Sequence, residues 1–203
     1  QRSENRRAGR LRSHVPGGQP GEGRGAGRSG PRLEPVEIDQ VDRSFGRQCR
    51  ESSAQRRFPV TGWIRRPEEF EYVVEPDVFH DLFGHVPLLF NPMFADYMQA
   101  YGAGGLKASR LEACEYLARL YWYTVEFGLI ATPAGLRAYG AGILSSAGEL
   151  RHSVTSAQPQ RIGFDLERIM RTRYKIDSYQ ATYFVIDSFA QLFEATAPDF
   201  TPM

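Results

Sequence analysis

The residues that can form a hydrophobic core are confined to the last three quarters of this chain. Of its 25 aromatic residues only Phe45 lies within the first 50 positions, and that segment contains 11 Arg and 9 Gly. A segment with so little apolar surface cannot offset the entropy cost of folding. We therefore expect residues 1–54 to be a disordered or aberrant Arg/Gly-rich segment. Residues 55–203 are expected to form a single folded domain, which is long enough to bury one substantial core.

Charge divides at the same place. The first 50 residues carry 11 Arg against 6 acidic residues, the rest carries 14 Lys and Arg against 18, and the net charge of +1 is therefore a cancellation. The basic segment has no aromatic side chain before Phe45 that could stack on bases, so we expect no nucleic-acid partner. No run approaches the roughly 18 to 20 apolar residues of a membrane span, so no membrane partner is expected. Two cysteines form no disulfide framework, which favours a reduced, cytoplasmic location.

Hydrophobic periodicity predicts mainly helices in the folded part. Apolar residues at spacings of three and four predict one long helix over 109–130. Asn91-Pro92 predicts an N-cap and a helix to about Tyr101. Pro76 predicts the start of a shorter helix that Gly84 interrupts, whereas the β-branched and aromatic run at 182–189 is consistent with a strand. The expected fold class is a mostly α domain with a few short strands, preceded by a disordered N-terminal segment.

Two of the four histidines, His80 and His85, lie in one apolar six-residue window. Five residues of an ideal α-helix turn through about 500°, which leaves the two side chains about 140° apart. The pair therefore cannot share one face of a regular helix, and we expect the helix to end at Gly84 and bring His85 round. This spacing differs from the His-Glu-x-x-His pattern of zinc proteases and lacks their adjacent general base, which argues against a zinc hydrolase.

Glu126 is the only charged residue in the apolar run 120–130. A carboxylate is almost never buried without a partner, because desolvating its charge costs several kcal/mol. A divalent metal is one such partner, and Arg119 is another. Together with His80 and His85, Glu126 would complete the two-His, one-carboxylate ligand set of non-haem iron enzymes. The residue types alone do not decide between zinc and iron.

Three separated motifs closely resemble signatures of the tetrahydropterin-dependent aromatic amino acid hydroxylases, especially the short bacterial phenylalanine 4-hydroxylases. They are Glu75-Pro76-Asp77-Val78-Phe79-His80-Asp81-Leu82-Phe83-Gly84-His85, Tyr121-Trp122-Tyr123-Thr124-Val125-Glu126-Phe127-Gly128, and Tyr139-Gly140-Ala141-Gly142-Ile143-Leu144-Ser145-Ser146. The run from Ile176 to Phe189 is also similar. The resemblance covers about residues 56–202, and the three motifs occur in the family's order.

The resemblance implies a monooxygenase that hydroxylates L-phenylalanine to L-tyrosine with dioxygen, Fe(II) and a tetrahydropterin. The residues it assigns as catalytic and metal-binding are His80, His85 and Glu126. Those it assigns to substrate binding are Arg65, as a clamp for the amino-acid carboxylate, and Pro76, Trp122, Phe127, Gly142 and Ser145. Those it assigns to the pterin are Asp81, Ala118 and Tyr121. Asp77 has two possible roles, either as a helix N-cap or as a hydrogen-bond partner of Arg65 or the histidines. We expect a monomer with small-molecule partners.

One segment departs from the family. The family holds its pterin with a Gly- and Pro-containing loop upstream of the Arg-Phe-Pro-Val segment, and residues 40–51 do not match that loop. One hypothesis is that this Arg/Gly/Ser/Pro-rich stretch is encoded out of register or begins at the wrong start. The alternative function is a non-catalytic remnant that keeps the metal and amino-acid site but has lost the pterin loop.

Overall fold

The structure is a computed structural model that describes residues 37–40, 52–72 and 74–197, and these belong to one compact unit, Leu33–Met203. Most of the predicted disordered segment, 1–54, lies outside the described residues. Within it, strand β1 (Glu37–Gln40) pairs in parallel with β2 (Arg57–Val60), with Ile38 opposite Phe58. Residues upstream of position 55 therefore form a strand that pairs with the predicted folded domain.

Helices dominate the described residues, as the hydrophobic pattern predicts. The α-helices are Val86–Leu89, Pro92–Arg110, Cys114–Tyr121, Ala141–Leu144, Ala147–Thr155, Leu166–Arg171 and Phe189–Thr196. Pro67–Glu69 forms a 3-10 turn, and two segments are π-helical, His80–His85 and Trp122–Glu126. None of these helices has the length and apolar character that a membrane crossing requires.

A four-stranded sheet supports one side of the domain. Its strands are β3 (Leu129–Thr132), β4 (Gly135–Ala138), β5 (Gln160–Gly163) and β6 (Thr182–Ile186), in the order β4-β3-β6-β5. Strands β3 and β4 form an antiparallel hairpin, and the other two pairings are parallel. The predicted strand at 182–189 is thus β6, which ends at Ile186, and its apolar side chains are buried because the sheet is covered by helices.

The long helix predicted over 109–130 is wrong in its bounds. The preceding helix continues to Arg110 instead of ending near Tyr101, and Glu112 adopts a left-handed conformation with φ of 54°. This break leaves Leu111 half exposed and starts a new helix at Cys114. Helical geometry then continues only to Glu126, because Leu129 enters strand β3. Spacing alone did not reveal the break, because apolar residues on both sides of it keep nearly the same periodicity.

The helix Pro92–Arg110 begins at its predicted N-cap, Asn91. The side chain of Asn91 accepts hydrogen bonds from the backbone N–H groups of Met93 and Phe94, at 3.0 and 3.3 Å. Phe94, Tyr97 and Met98 of this helix are buried in the main core with Phe58 and Val125. This core therefore packs the long helix against the segments that carry the candidate ligands.

Candidate metal centre

The structure brings His80, His85 and Glu126 together. The Nε2 atoms of the two imidazoles are 3.0 Å apart. The Nε2 atom of His80 lies 3.4 Å from Oε2 of Glu126, and that of His85 lies 3.2 Å from Oε1. All three residues are buried, and they form the one cluster of possible metal ligands of this kind in the described part of the chain. Three such donor atoms aimed at one point are within bonding reach of a single ion at about 2.0–2.2 Å.

The histidines meet because their segment is π-helical. The expected end of the helix at Gly84 is wrong, since helical geometry continues through His85 into Val86–Leu89. The backbone N–H of Val86 donates to the carbonyl of Asp81, five residues earlier, which is the i→i+5 bond of a π turn. One π turn brings side chains five residues apart to the same side. A regular α-helix would separate them.

Gly84 is required for a different reason. A Cβ atom at this position would lie 2.7 Å from the Cβ and 2.8 Å from the Cα of Ala141. The π turn therefore packs directly against the helix Ala141–Leu144. That contact sets the distance between the histidine pair and Ser145, which follows the helix.

Glu126 also projects from a π-helical segment. The backbone N–H of Phe127 donates to the carbonyl of Trp122 at 2.8 Å, again five residues back. Burial raises the pKa of the Glu126 carboxyl, but the imidazoles of His85 and His80 lower that pKa by more, so the side chain is ionised. Arg119, the alternative partner, instead pairs with Glu115 at 2.8 Å. The carboxylate therefore faces the histidines.

Two hydrogen bonds orient His80. Its Nδ1 lies 2.9 Å from Oγ of Ser145, which leaves Nε2 directed at His85 and Glu126. Its backbone N–H donates to Oδ1 of Asp77 at 2.8 Å. Burial lowers the pKa of His80 and so favours the neutral imidazole that a metal needs. Nδ1 of His85 is buried and has no partner among the described residues.

Asp77 has both of the roles that the sequence left open. Besides capping the His80 segment, its carboxylate accepts two hydrogen bonds from the guanidinium of Arg65, from Nε at 2.9 Å and from Nη2 at 2.6 Å. Both side chains are buried. Burial raises the pKa of Asp77, but the bonds from Arg65 and from the His80 backbone outweigh it and lower that pKa to about 2.

Arg65 keeps donor capacity beyond this pair. Its Nη1 donates to the backbone carbonyl of Ser145, and its guanidinium lies 5.1 Å from the ring centre of Phe79. A guanidinium has five N–H groups, and these bonds use three of them, so two remain for another acceptor. Such a fixed, buried cation is suited to binding a carboxylate.

An aromatic cluster extends from the π segment that carries Glu126. The ring of Trp122 lies 4.6 Å from that of Phe127 and 4.2 Å from that of Tyr174, nearly parallel to the latter. Its indole N–H donates to Oε1 of Gln180 at 3.0 Å. A Cβ atom at Gly142 would lie 2.9 Å from Phe127. The predicted substrate residues Trp122, Phe127 and Gly142 are therefore neighbours.

The residues predicted to lie near a pterin occupy two elements. Asp81 is fully buried on the first π turn and accepts hydrogen bonds from Thr61, from its N–H at 2.6 Å and from its hydroxyl at 2.8 Å. The ring centre of Tyr121 lies 6.3 Å from that of His85, and Ala118 is exposed one turn earlier on the same helix. Pro76 is half-buried and directly precedes Asp77.

Sequence reasoning missed three residues of this region. Thr61 anchors Asp81, Gln180 anchors Trp122, and the ring of Phe58 lies 5.0 Å from that of His85. Phe58 lies on β2, far from the histidine motif in sequence. Gln180 lies in a run that matched the family, but no spacing rule connects an amide at 180 with an indole at 122.

The donor set suits a divalent metal. Two imidazoles and one carboxylate, all buried and mutually directed, form the facial set of non-haem iron sites and leave other coordination positions open. Because Ser145 occupies the other ring nitrogen of His80, the ligand atom is already selected. The residues present therefore fit an iron ion.

Comparison with known proteins agrees with this geometry. Residues 28–198 match the biopterin-dependent aromatic amino acid hydroxylase family. The chain is 70% identical over 153 residues to the phenylalanine-4-hydroxylase of Ralstonia nicotianae, covering 75% of this chain and 49% of that protein. It is 69% identical over 153 residues to that of Chromobacterium violaceum, covering 75% and 52%. The crystal structure of the latter enzyme bound to cobalt superposes with a TM-score of 0.74 at 67% identity, covering 77% of this chain and 56% of that one.

The chain spans about half the length of these two relatives. The family match begins at residue 28, upstream of residue 56, where the resemblance predicted from the sequence begins. It therefore includes strand β1, which pairs with β2.

Proposed function

Since this chain belongs to the biopterin-dependent aromatic amino acid hydroxylases, we propose that it hydroxylates L-phenylalanine to L-tyrosine, using iron(II), a tetrahydropterin and dioxygen. The observation that carries the proposal is the buried triad of His80, His85 and Glu126, whose donor atoms face one another at 3.0 to 3.4 Å. Similarity to relatives named phenylalanine-4-hydroxylase supports phenylalanine over other aromatic amino acids.

In this proposal the triad holds the iron. When bound there, iron together with a reduced pterin would supply the activation of dioxygen for attack on an aromatic ring. The hydrogen bond to Ser145 holds the His80 ring with Nε2 toward the other two ligands, and the burial of His85 and Glu126 keeps competing water from the ligands. The protein thus presents two imidazole nitrogens and a carboxylate that are directed at one another.

The amino acid would be bound from two sides. Arg65, fixed by Asp77, would donate its remaining N–H groups to the substrate carboxylate. The aromatic ring would contact the wall formed by Trp122 and Phe127, with Pro76, Gly142 and Ser145 completing the pocket. Because Ser145 contacts both Arg65 and His80, the carboxylate clamp and the metal-binding imidazole would be held at a set separation.

The pterin would bind near Asp81, Tyr121 and Ala118. Asp81 is held in place by Thr61, and one of its carboxylate oxygens is buried without a partner among the described residues. The partners proposed for the whole protein are thus small molecules. Its monomeric state and cytoplasmic location remain predictions of the sequence.

The test is a tyrosine-formation assay. The full chain is loaded with iron(II) and supplied with reduced pterin, dioxygen and, separately, L-phenylalanine, L-tyrosine or L-tryptophan. We expect L-tyrosine from L-phenylalanine as the main product. A folded, iron-loaded protein that hydroxylates none of the three would defeat the proposed activity.

The alternative is a non-catalytic remnant that binds metal and an aromatic amino acid. It follows from the prediction that residues 40–51 lack the family's pterin loop, although the family match over residues 28–198 includes this stretch. Titration with reduced pterin separates the two proposals. Binding at the affinity of the Chromobacterium violaceum enzyme excludes the remnant, whereas no binding by an iron-loaded chain supports it.

A further inference from the structure

We propose that Gln180 is a positioning residue that holds the Trp122 indole in place for the aromatic amino acid. The inference rests on the proposed function, because it assigns Trp122 to the substrate pocket. Gln180 lies 58 residues away in sequence, in the segment between Lys175 and strand β6. It has no contact with the metal ligands among the bonds that the structure shows.

The hydrogen bonds of the Gln180 side chain define its orientation. Its Nε2 donates to two backbone carbonyls, that of Lys175 at 2.8 Å and that of Ser178 at 3.1 Å. An amide nitrogen has two hydrogens, so these bonds use both of them. The opposite orientation would direct the amide oxygen at two carbonyl oxygens. The oxygen Oε1 must therefore face the indole N–H of Trp122, 3.0 Å away.

The backbone of Gln180 is anchored as firmly as its side chain. Its N–H donates to Oε1 of Glu149 at 3.1 Å. The same oxygen accepts a hydrogen bond from the hydroxyl of Tyr183 at 2.5 Å. Its carbonyl lies 3.1 Å from Nε2 of His152. Gln180, Glu149 and Tyr183 are all buried. A rigid, fully bonded amide is thus presented to the indole from the interior of the protein.

The indole of Trp122 is also held by contacts to its ring. Tyr174 stacks on Trp122 at 4.2 Å with an interplanar angle of 11°, while Phe127 lies against it at 4.6 Å. Stacking restrains the plane of the indole, but it permits sliding and rotation within that plane. The bond to Gln180 removes this freedom. Aromatic contacts and one directional hydrogen bond together fix the wall before the ligand arrives.

The consequence is a change in ligand affinity without a change in metal binding. Replacing Gln180 by Met keeps an unbranched side chain of similar length but removes the acceptor, so the indole N–H of Trp122 loses this hydrogen bond. We expect the dissociation constant for L-phenylalanine to rise by up to about tenfold, since ligand binding must then order an indole that the hydrogen bond no longer holds. Cobalt(II) affinity should stay within about twofold of the parent protein, because no triad contact changes.

The matched control is Gln158→Met. Gln158 is exposed, and its side chain has no hydrogen bond among the described residues. Ligand affinity of this variant should equal that of the parent. A second probe leaves Gln180 intact: 3-benzothienylalanine at position 122 replaces the indole N–H by sulfur in a side chain of nearly the same shape. It should reproduce the loss of affinity even if Gln180→Met folds poorly.

Fluorescence reports on the indole directly. The chain has two tryptophans, Trp63 and Trp122, so a Trp63→Phe background leaves Trp122 as the sole reporter. In that background Gln180→Met should raise acrylamide quenching and lower the emission anisotropy of Trp122, and Gln158→Met should change neither. Unchanged quenching and anisotropy would overturn the inference. So would unchanged L-phenylalanine affinity in both the Met and the sulfur variants.

These arms separate the inference from the proposed function. If the parent chain, loaded with cobalt(II), binds no L-phenylalanine, the proposed function fails, and the quenching result still decides whether Gln180 positions the indole. If the parent binds L-phenylalanine and the variants bind it equally well, the role of Gln180 fails while the proposed function stands.

Discussion

The Nε2 atoms of His80 and His85 lie 3.0 Å apart, although an ideal α-helix would point side chains five residues apart about 140° away from each other. A π turn accounts for the difference. The second ligand-bearing segment, Trp122–Glu126, is π-helical as well. The candidate centre therefore depends on two local departures from α-helical geometry, each stabilised by packing around it.

The first prediction concerns the contact behind the histidine turn. Gly84→Ala would place a methyl group 2.7 Å from the side chain and 2.8 Å from the backbone of Ala141, so the two helical segments must move apart. We expect a loss of about 1–3 kcal/mol in the free energy of unfolding. Cobalt(II) should bind more weakly too, because His85 follows Gly84 directly. Urea unfolding and metal titration measure the two effects.

Gly163→Ala is the control for this substitution. A Cβ atom at Gly163 meets nothing within 4 Å, and the position is exposed at the end of β5. Its unfolding free energy should change by less than about 0.5 kcal/mol. Equal unfolding free energies of Gly84→Ala and Gly163→Ala would show that the close contact between Gly84 and Ala141 does not exclude a larger side chain.

The second prediction tests the carboxylate of the triad. Glu126→Ala removes the single anionic donor from the cluster. Removing a residue that only hydrogen-bonds to a metal ligand lowers metal affinity by about 10- to 100-fold, so removing a ligand itself should lower iron(II) or cobalt(II) affinity by more than about a hundredfold. Isothermal titration and metal content after gel filtration measure this. Glu115→Ala, an exposed carboxylate on the preceding helix, should load metal normally. Full loading of the Glu126 variant would refute the triad.

The third prediction concerns the buried ion pair between Arg65 and Asp77. Asp77→Asn would leave a buried guanidinium without its counter-charge, and we expect a loss of about 3–5 kcal/mol in the free energy of unfolding. Asp96→Asn breaks the exposed pair with Arg56 and should cost no more than about 1 kcal/mol. Chemical denaturation of both variants gives the comparison. Similar losses of unfolding free energy in Asp77→Asn and Asp96→Asn would mean that the buried ion pair contributes no more to stability than the pair of Asp96 with Arg56.

The fourth prediction is a pH dependence at Glu149. Burial raises the pKa of this carboxyl above its ordinary value of 4.5, although the Tyr183 hydroxyl, the Gln180 N–H and His152 act in the opposite direction. Because the folded protein binds this proton more tightly than the unfolded chain does, the contribution of Glu149 to stability is full below pH 4.5. It decreases as pH rises through the folded-state pKa.

Glu149→Gln is therefore expected to gain stability relative to the parent as pH rises from about 4.5 to 8. The amide oxygen can still accept from Tyr183 and from Gln180, so the bonds to Oε1 are kept. Melting temperatures across this range measure the difference. Gln158→Met, which removes no titratable group from an exposed position, should show a difference that does not vary with pH. A constant difference for Glu149→Gln would contradict the raised pKa.

Much of the local structure was predictable from sequence. The cap at Asn91 followed from an acceptor side chain before proline, and the strand at β6 followed from a β-branched and aromatic run. The helix bounds around 109–130 were not predictable. The left-handed residue Glu112 and the entry of Leu129 into a sheet depend on neighbours that periodicity does not include.

The sequence by itself determined which side chains could form the centre. A lone carboxylate at Glu126 in an apolar run, and two histidines in an apolar window, need partners whatever the fold, because buried charge and unpaired imidazoles are costly. Only the tertiary structure decided how they meet, through two π turns, of which the histidine turn packs on Ala141. It also decided that Arg119 pairs with Glu115, and that Gln180 reaches Trp122. These contacts join residues distant in sequence, and their geometry is set by packing rather than by local preference.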